Sequence, residues 1–165
     1  MSELRTNKIV PRDGLPSGAS GGGIIQTVTL NDTTTTTLNT TSYADTGLSA
    51  TITPTSSSNK ILIYLTIPAQ AFRSALEPAC GLRLLRGTTE IIEYPYAYTM
   101  EAEPSSNSRV FFTYVFNSQY LDSPATTSAV TYKVQGKVYN TANGSKLSYN
   151  QNSSTSTITL IEVSA

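Results

Sequence analysis

The stretch from Gly47 to Ala71, GLSATITPTSSSNKILIYLTIPAQA, constrains the fold more than any other part of the chain. Leu48, Ala50 and Ile52 alternate with Ser49, Thr51 and Thr53, the period-two pattern of a strand with one face buried and one face wet. Pro54 cannot donate to a sheet ladder, and the short polar side chains from Thr55 to Asn59 bond to nearby backbone, so the chain turns there. After Lys60 the alternation is lost. Ile61, Ile63, Leu65 and Ile67 form one apolar face, while Leu62 and Tyr64 make the other face apolar too, so this strand is expected to be covered on both sides. A half-wet strand, a polar turn and a doubly covered strand describe two packed layers of sheet, or a sheet that meets a neighbouring subunit.

The same signals recur along the chain. Ile24 to Leu30 reads as a strand, and the threonine-rich Thr33 to Thr41 as an edge strand, because threonine is β-branched and suits a half-exposed pleat. Leu82 to Leu85 and Glu90 to Glu93 flank a glycine-containing connection and read as a hairpin. Arg109 to Phe116, RVFFTYVF, is a second strand apolar on both faces, expected at an interface or in the core. Val130 to Val138 alternates cleanly, with Gly136 as a candidate bulge; Asn143-Gly144 is a two-residue hairpin signal, and Thr157 to Val163 is a closing strand. Eight or nine short strands with little helix predict an all-β protein, a jelly-roll-like antiparallel β-sandwich over residues 24–165.

Residues 1–23 are rich in proline and glycine and read as an extended N-terminal anchor and linker. Within them Leu4, Ile9, Val10, Pro11 and Arg12 form a short strand-plus-turn pattern; it is either a frayed terminus or a segment that orders on a partner.

The chemistry that the chain lacks narrows its function. Eleven basic residues balance eleven acidic ones, which argues against nucleic acid or an anionic membrane as partner. No apolar run approaches the ~20 residues of a membrane helix and no signal-peptide core is present, so synthesis in the cytoplasm without export is expected. The lone Cys80 reads as a packed thiol. Without histidine the Ser-His-Asp and Cys-His arrangements and the common zinc sites are excluded. Glu90, Glu93, Glu101 and Glu103 are candidates for a glycosidase-like pair, but no motif aims them at one another; the expectation is no enzyme, no cofactor and no metal. Tyr94, Tyr96 and Tyr98 point the same way if extended, giving a glycan-stacking surface or packing against a neighbouring strand or subunit.

Three blocks carry a resemblance: the Ser2-to-Gly14 leader SELRTNKIVPRDG, the Gly47-to-Ile63 block with its Thr-Pro-x-Ser-Ser-Ser-Asn-Lys-Ile-Leu core, and the closing TITLIEV. In the same order they resemble small structural proteins of tailed, marine (cyanophage-like) bacteriophages, described as tail fibre or virion structural proteins. The resemblance implies a homotrimeric jelly-roll-like knob in the virion, not an enzyme, attached to other virion proteins through its N-terminal segment. The chain has no extended shaft, so an adaptor, a short fibre or a capsid-surface decoration stands beside a tail fibre that contacts a host-surface glycan; a stand-alone carbohydrate-binding module is a further class. The residues themselves place the subunit interface on the second faces of the two-faced strands, at Leu62, Tyr64, Phe111 and Val115, and allow a dimer as well as the implied trimer.

Overall fold

The computed structural model describes residues 23–74, 79–99 and 109–164. They form ten strands: β1 (Ile24–Asp32), β2 (Thr36–Leu38), β3 (Ala44–Ile52), β4 (Lys60–Ser74), β5 (Ala79–Arg86), β6 (Thr89–Thr99), β7 (Arg109–Asp122), β8 (Val130–Val138), β9 (Lys146–Tyr149) and β10 (Ser156–Val163). Two antiparallel sheets pack face to face as a β-sandwich. The larger is built on β4. One edge of β4 pairs with β7 along its length, from Ile61 opposite Asp122 to Ser74 opposite Arg109. Its other edge is divided, Lys60 to Thr66 pairing with β10 and Ala69 to Phe72 with β9; β1 lies outside β10 and β2 outside β9. The smaller sheet runs β3-β8-β5-β6. The main pairs are nested, β1 with β10, β3 with β8, β4 with β7 and β5 with β6, so the chain is a long antiparallel ribbon rolled into two layers.

Alternation decides what goes inside. Leu48, Ala50 and Ile52 of β3, Ile61, Ile63, Leu65 and Ile67 of β4, Tyr132, Val134 and Val138 of β8, and Ile158 and Leu160 of β10 are all buried. Each large side chain among them contributes roughly 1.5–3 kcal/mol by leaving water.

Four features differ from the simplest reading of the sequence. β4 runs on through Pro68, which sits where its edge passes from β10 to β9. The Pro68 carbonyl accepts from the Asn150 N–H at that seam (3.3 Å). A residue's N–H and C=O point the same way in a strand, so the missing donor also faces the seam and removes no bond to β7. Second, within one chain β4 and β7 each bury only one face: Tyr64 is 42% exposed, Phe111 52% and Val115 54%. Third, Asn143 (φ 57°) and Gly144 (φ 68°) adopt the left-handed turn that their sequence favours, but the turn carries the chain from β8 in one sheet to β9 in the other, and no β8–β9 hairpin forms. Fourth, Gly136 is no bulge. A Cβ there would collide with the hydroxyl of Tyr149, whose ring fills that space; the irregularity lies on the partner strand β3, between Asp45 and Ser49.

Two buried carboxylates tie the layers together. Glu162, 0% exposed, accepts from Gln26 Nε2 (2.5 Å), Asn59 Nδ2 (2.6 Å), and the N–H and hydroxyl of Thr55 (2.7 and 2.8 Å). Burial pushes this carboxyl up, and the bonds from Asn59, Gln26 and Thr55 outweigh it and hold the pKa at about 2. The polar turn of Thr55 to Asn59 thus wraps a carboxylate. At the far side Asp122 accepts from Arg86 Nη1 (2.9 Å) and the Tyr132 hydroxyl (2.6 Å), joining β7 to the smaller sheet. Burial first, and then the bond to Asp122, pushes the Tyr132 hydroxyl well up.

Candidate interaction surface

The outer face of the larger sheet follows from register. Even-numbered residues of β4 and odd-numbered residues of β7 from Phe111, of β10 and of β1 from Thr27 point away from the core and line up in rows across the strands. One row holds Ile161, Leu62 and Leu121; the next Thr159, Tyr64 and Gln119; the next Thr157, Thr66 and Asn117. Further along, Pro68 lies opposite Val115, Gln70 opposite Thr113 and Phe72 opposite Phe111, the last pair with ring centroids 4.7 Å apart. Among the described side chains of this face, only Lys60 near one end and Lys146 near the other carry charge. The polar groups are bonded to each other: Thr29 with Thr159 (3.1 Å), Thr157 to Asn31 (2.9 Å), Thr66 to Asn117 (3.0 Å) and Gln70 to Thr113 (3.2 Å). A neutral surface whose polar groups already have partners loses little when water leaves it.

The outer face of the smaller sheet is ionic. The Tyr43 ring lies under the Arg83 guanidinium (4.4 Å) and the Lys137 ammonium (4.3 Å), and its hydroxyl donates to Glu93 (2.6 Å). Gly81 makes this possible, since a Cβ there would stand 2.8 Å from the Tyr43 hydroxyl. Arg83 also pairs with Glu90 (2.9 Å), Lys137 with Glu93 (3.6 Å) and Lys133 with Asp45 (3.2 Å). The Tyr43 bond, then Lys137 and Arg83, hold the Glu93 carboxyl below its ordinary range.

The four residues expected at an interface, Leu62, Tyr64, Phe111 and Val115, all stand on the one outer face of the larger sheet. They form two clusters: Leu62 and Tyr64 near Leu121, and Phe111 and Val115 near Phe72 and Pro68, with the Thr66–Asn117 row between. Leu121, 49% exposed, and Ile161 belong to the same surface and escaped the sequence reading. The polar run Asn117-Ser118-Gln119 hid the continuation of β7, although alternation carried on to Leu121 would have found it.

Of the tyrosines, Tyr94 packs edge-on against Phe116 (centroids 4.9 Å apart) and its hydroxyl bonds to Ser118, so it bridges the two sheets; the side chains of Tyr96 and Tyr98 lie outside the described residues. Glu90 and Glu93 face cations instead of one another, and Glu101 and Glu103 lie outside the described residues, as do Leu4, Ile9, Val10, Pro11 and Arg12. Cys80 is buried, 3.1 Å from the Tyr114 hydroxyl. Among the described residues no group of three or more His, Cys, Asp or Glu side chains is placed to hold a metal ion. No protein-family model matches the chain, and no curated protein matches it.

Proposed function

We propose that the protein is a virion structural component of a tailed bacteriophage: a small homotrimeric knob, fibre or adaptor, attached to the particle through residues 1–23. The phage part of this reading rests on the resemblance of the Ser2-to-Gly14, Gly47-to-Ile63 and TITLIEV blocks; the observation that supports assembly is the outer face of the larger sheet, neutral over most of its length and studded with Tyr64, Phe111, Val115 and Leu121. Soluble monomers rarely leave such a surface in water, whereas an assembling subunit needs one. The nested order β1-β10-β4-β7 against β3-β8-β5-β6 supports a jelly-roll-like fold, an architecture shared by viral capsid and lectin domains; that likeness is one of fold alone.

The test is assembly. Light scattering coupled to size exclusion is expected to give a trimer at micromolar concentration. A version starting at Ile24 should keep its cooperative β-type melt yet fail to join particles. A wild-type monomer, or a truncated chain that still incorporates, would overturn the reading.

The same face supports a second reading, a carbohydrate-binding module. The exposed Tyr64 ring borders a shallow depression of about 300 Å³ lined by Thr66, Asn117 and Gln119, an aromatic surface flanked by amides and a hydroxyl of the kind that sugars use. Binding on a glycan array that is lost in Tyr64→Ala, by a monomeric wild type, would favour it.

A further inference from the structure

We propose that the two free edges of the larger sheet, β7 and β1, pair with each other between copies, so that three copies join head to tail into one closed ring of sheet. This deepens the trimeric reading above and rests on it.

The first ground is how the edges are protected. Proteins guard sheet edges with charges, proline, bulges or very short strands, because an unguarded edge pairs with whatever strand it meets. In the smaller sheet β6 carries Pro95, Glu90 and Glu93 and two register shifts against β5, and β3 carries Asp45 and a register shift. β2 is three residues long. β7 has none of these devices. Its register against β4 is unbroken over its whole length, and no proline or charge occurs between Val110 and Leu121. β1 has an irregularity only at its start, between Ile24 and Gln26, and no charge from Gln26 to Asn31. Among the described residues neither strand has a second pairing partner.

The second ground is direction. The path β1-β10-β4-β7 contains four strands, each antiparallel to the next, so its two ends run in opposite senses. A copy rotated about an axis along the strands therefore presents its β1 antiparallel to the first copy's β7. That is the heterologous contact from which closed rings are made.

The third ground is where the apolar surface lies. The large apolar side chains left exposed are Ile24, Ile25 and Leu30 on β1, and Phe111, Val115 and Leu121 on β7, with Tyr64 one strand in. A two-fold pairing of β7 with itself would leave the β1 group in water, whereas β7 against β1 covers that group together with Leu121, which shares the row of Thr27, and turns Val115 and Phe111 toward the axis with the rest of the outer face. The nine residues of β1 give an edge about 30 Å long. An edge alone covers less than the ~800 Å² per partner of a stable complex, and the neighbouring apolar row of Leu62, Leu121 and Ile161 supplies further area when the outer faces turn toward the axis.

Cysteine cross-linking of the full chain tests this. Leu121→Cys with Thr27→Cys, Gln119→Cys with Thr29→Cys, and Asn117→Cys with Asn31→Cys combine positions that stand in the same cross-strand rows of β7 and β1, all exposed, with the single variants as controls. Opposed strand residues approach closely enough for a disulfide, and Cys80 is buried and does not compete. Each variant is checked by its melt, so that one poorly folded combination leaves the others to decide. After mild oxidation at least one combination is expected to give a denaturation-resistant ladder that ends at a covalent trimer, with no cross-linking in the single variants. Covalent dimers from a β7 single variant would overturn the inference in favour of two-fold pairing. A trimer by light scattering with no cross-link in any combination would overturn it and leave the trimer standing. A monomer by light scattering would overturn the trimeric reading itself.

Discussion

On the smaller sheet the outward side chains form a closed set of charges: Arg83 with Glu90, Lys137 with Glu93, Lys133 with Asp45, and Tyr43 beneath two cations. On the larger sheet the corresponding side chains are threonines, asparagines and glutamines bonded to one another, interrupted by Leu62, Tyr64, Val115, Leu121 and Phe111. Both faces meet water, by different means. Ions paired at the surface keep much of their hydration, so an apolar partner placed on them must strip it away at high cost. Paired hydroxyls and amides carry no such barrier, and the apolar side chains among them gain by being covered. In the assembly proposed above, the contrast makes one face the solvent side of the molecule and the other its meeting side.

The largest effect that would break this contrast is on assembly. Val115→Asp combined with Leu121→Asp places two charges on the neutral face and is expected to weaken self-association by more than 100-fold while leaving the monomer folded. Glu93→Lys on the ionic face should leave association unchanged. Sedimentation velocity over a concentration series reads both, and equal effects from the two faces would erase the distinction.

A smaller but clear effect should come from between the sheets. Glu162→Gln turns an amide toward donors that need an acceptor, and an expected loss of about 3 kcal/mol follows in urea melts at pH 7. The folded carboxyl titrates at about 2, below its ordinary 4.5, so its contribution is complete above the higher value and disappears as pH falls through the lower one. Acid should therefore destabilise the wild type more than Glu162→Gln over that window. The variant should associate as wild type wherever it is folded, and dissociation without unfolding would show that the two faces are not independent of the interior.

The smallest effect belongs to the ionic face itself. Arg83→Met removes one ion pair, two hydrogen bonds to the Gln135 amide oxygen and one cation–ring contact from a partly solvated network, and about 1 kcal/mol is expected in the same melts. A loss comparable to that of Glu162→Gln would mean that this face stabilises the fold instead of merely solvating it.

The strand content was legible because alternation is a local signal. The buried faces of β3, β4, β8 and β10 follow from the parity of their apolar residues, and β8 matches its expected bounds. Pairing was not legible, because no local rule states that Asn143-Gly144 carries the chain between sheets or that Pro68 falls at a seam between two partners. Leu62, Tyr64, Phe111 and Val115, expected at an interface, share one outer face: two apolar faces on one strand signalled a surface needing cover, and one chain leaves that surface open. Glu162 was missed, yet its parity with Ile158 and Leu160 puts it on the inward side. An acid in phase with buried residues is a sequence signal for an enclosed carboxylate.

The start of β1 and the end of β10 are held side by side. Gly23 donates to the Ser164 hydroxyl (3.0 Å) and its carbonyl accepts the Ser164 N–H (3.1 Å). Chain entry and exit thus share one corner, beside Lys60 and the turn that wraps Glu162, while Phe72, Phe111 and the Ala142–Gly144 turn mark the other end of β4, about 45 Å away. Copies related by an axis along the strands would put all their entry points at one pole. Such an assembly would have a base and a tip: everything joined through residue 23 or 164 would gather at the base, and the tip would stand at the opposite pole.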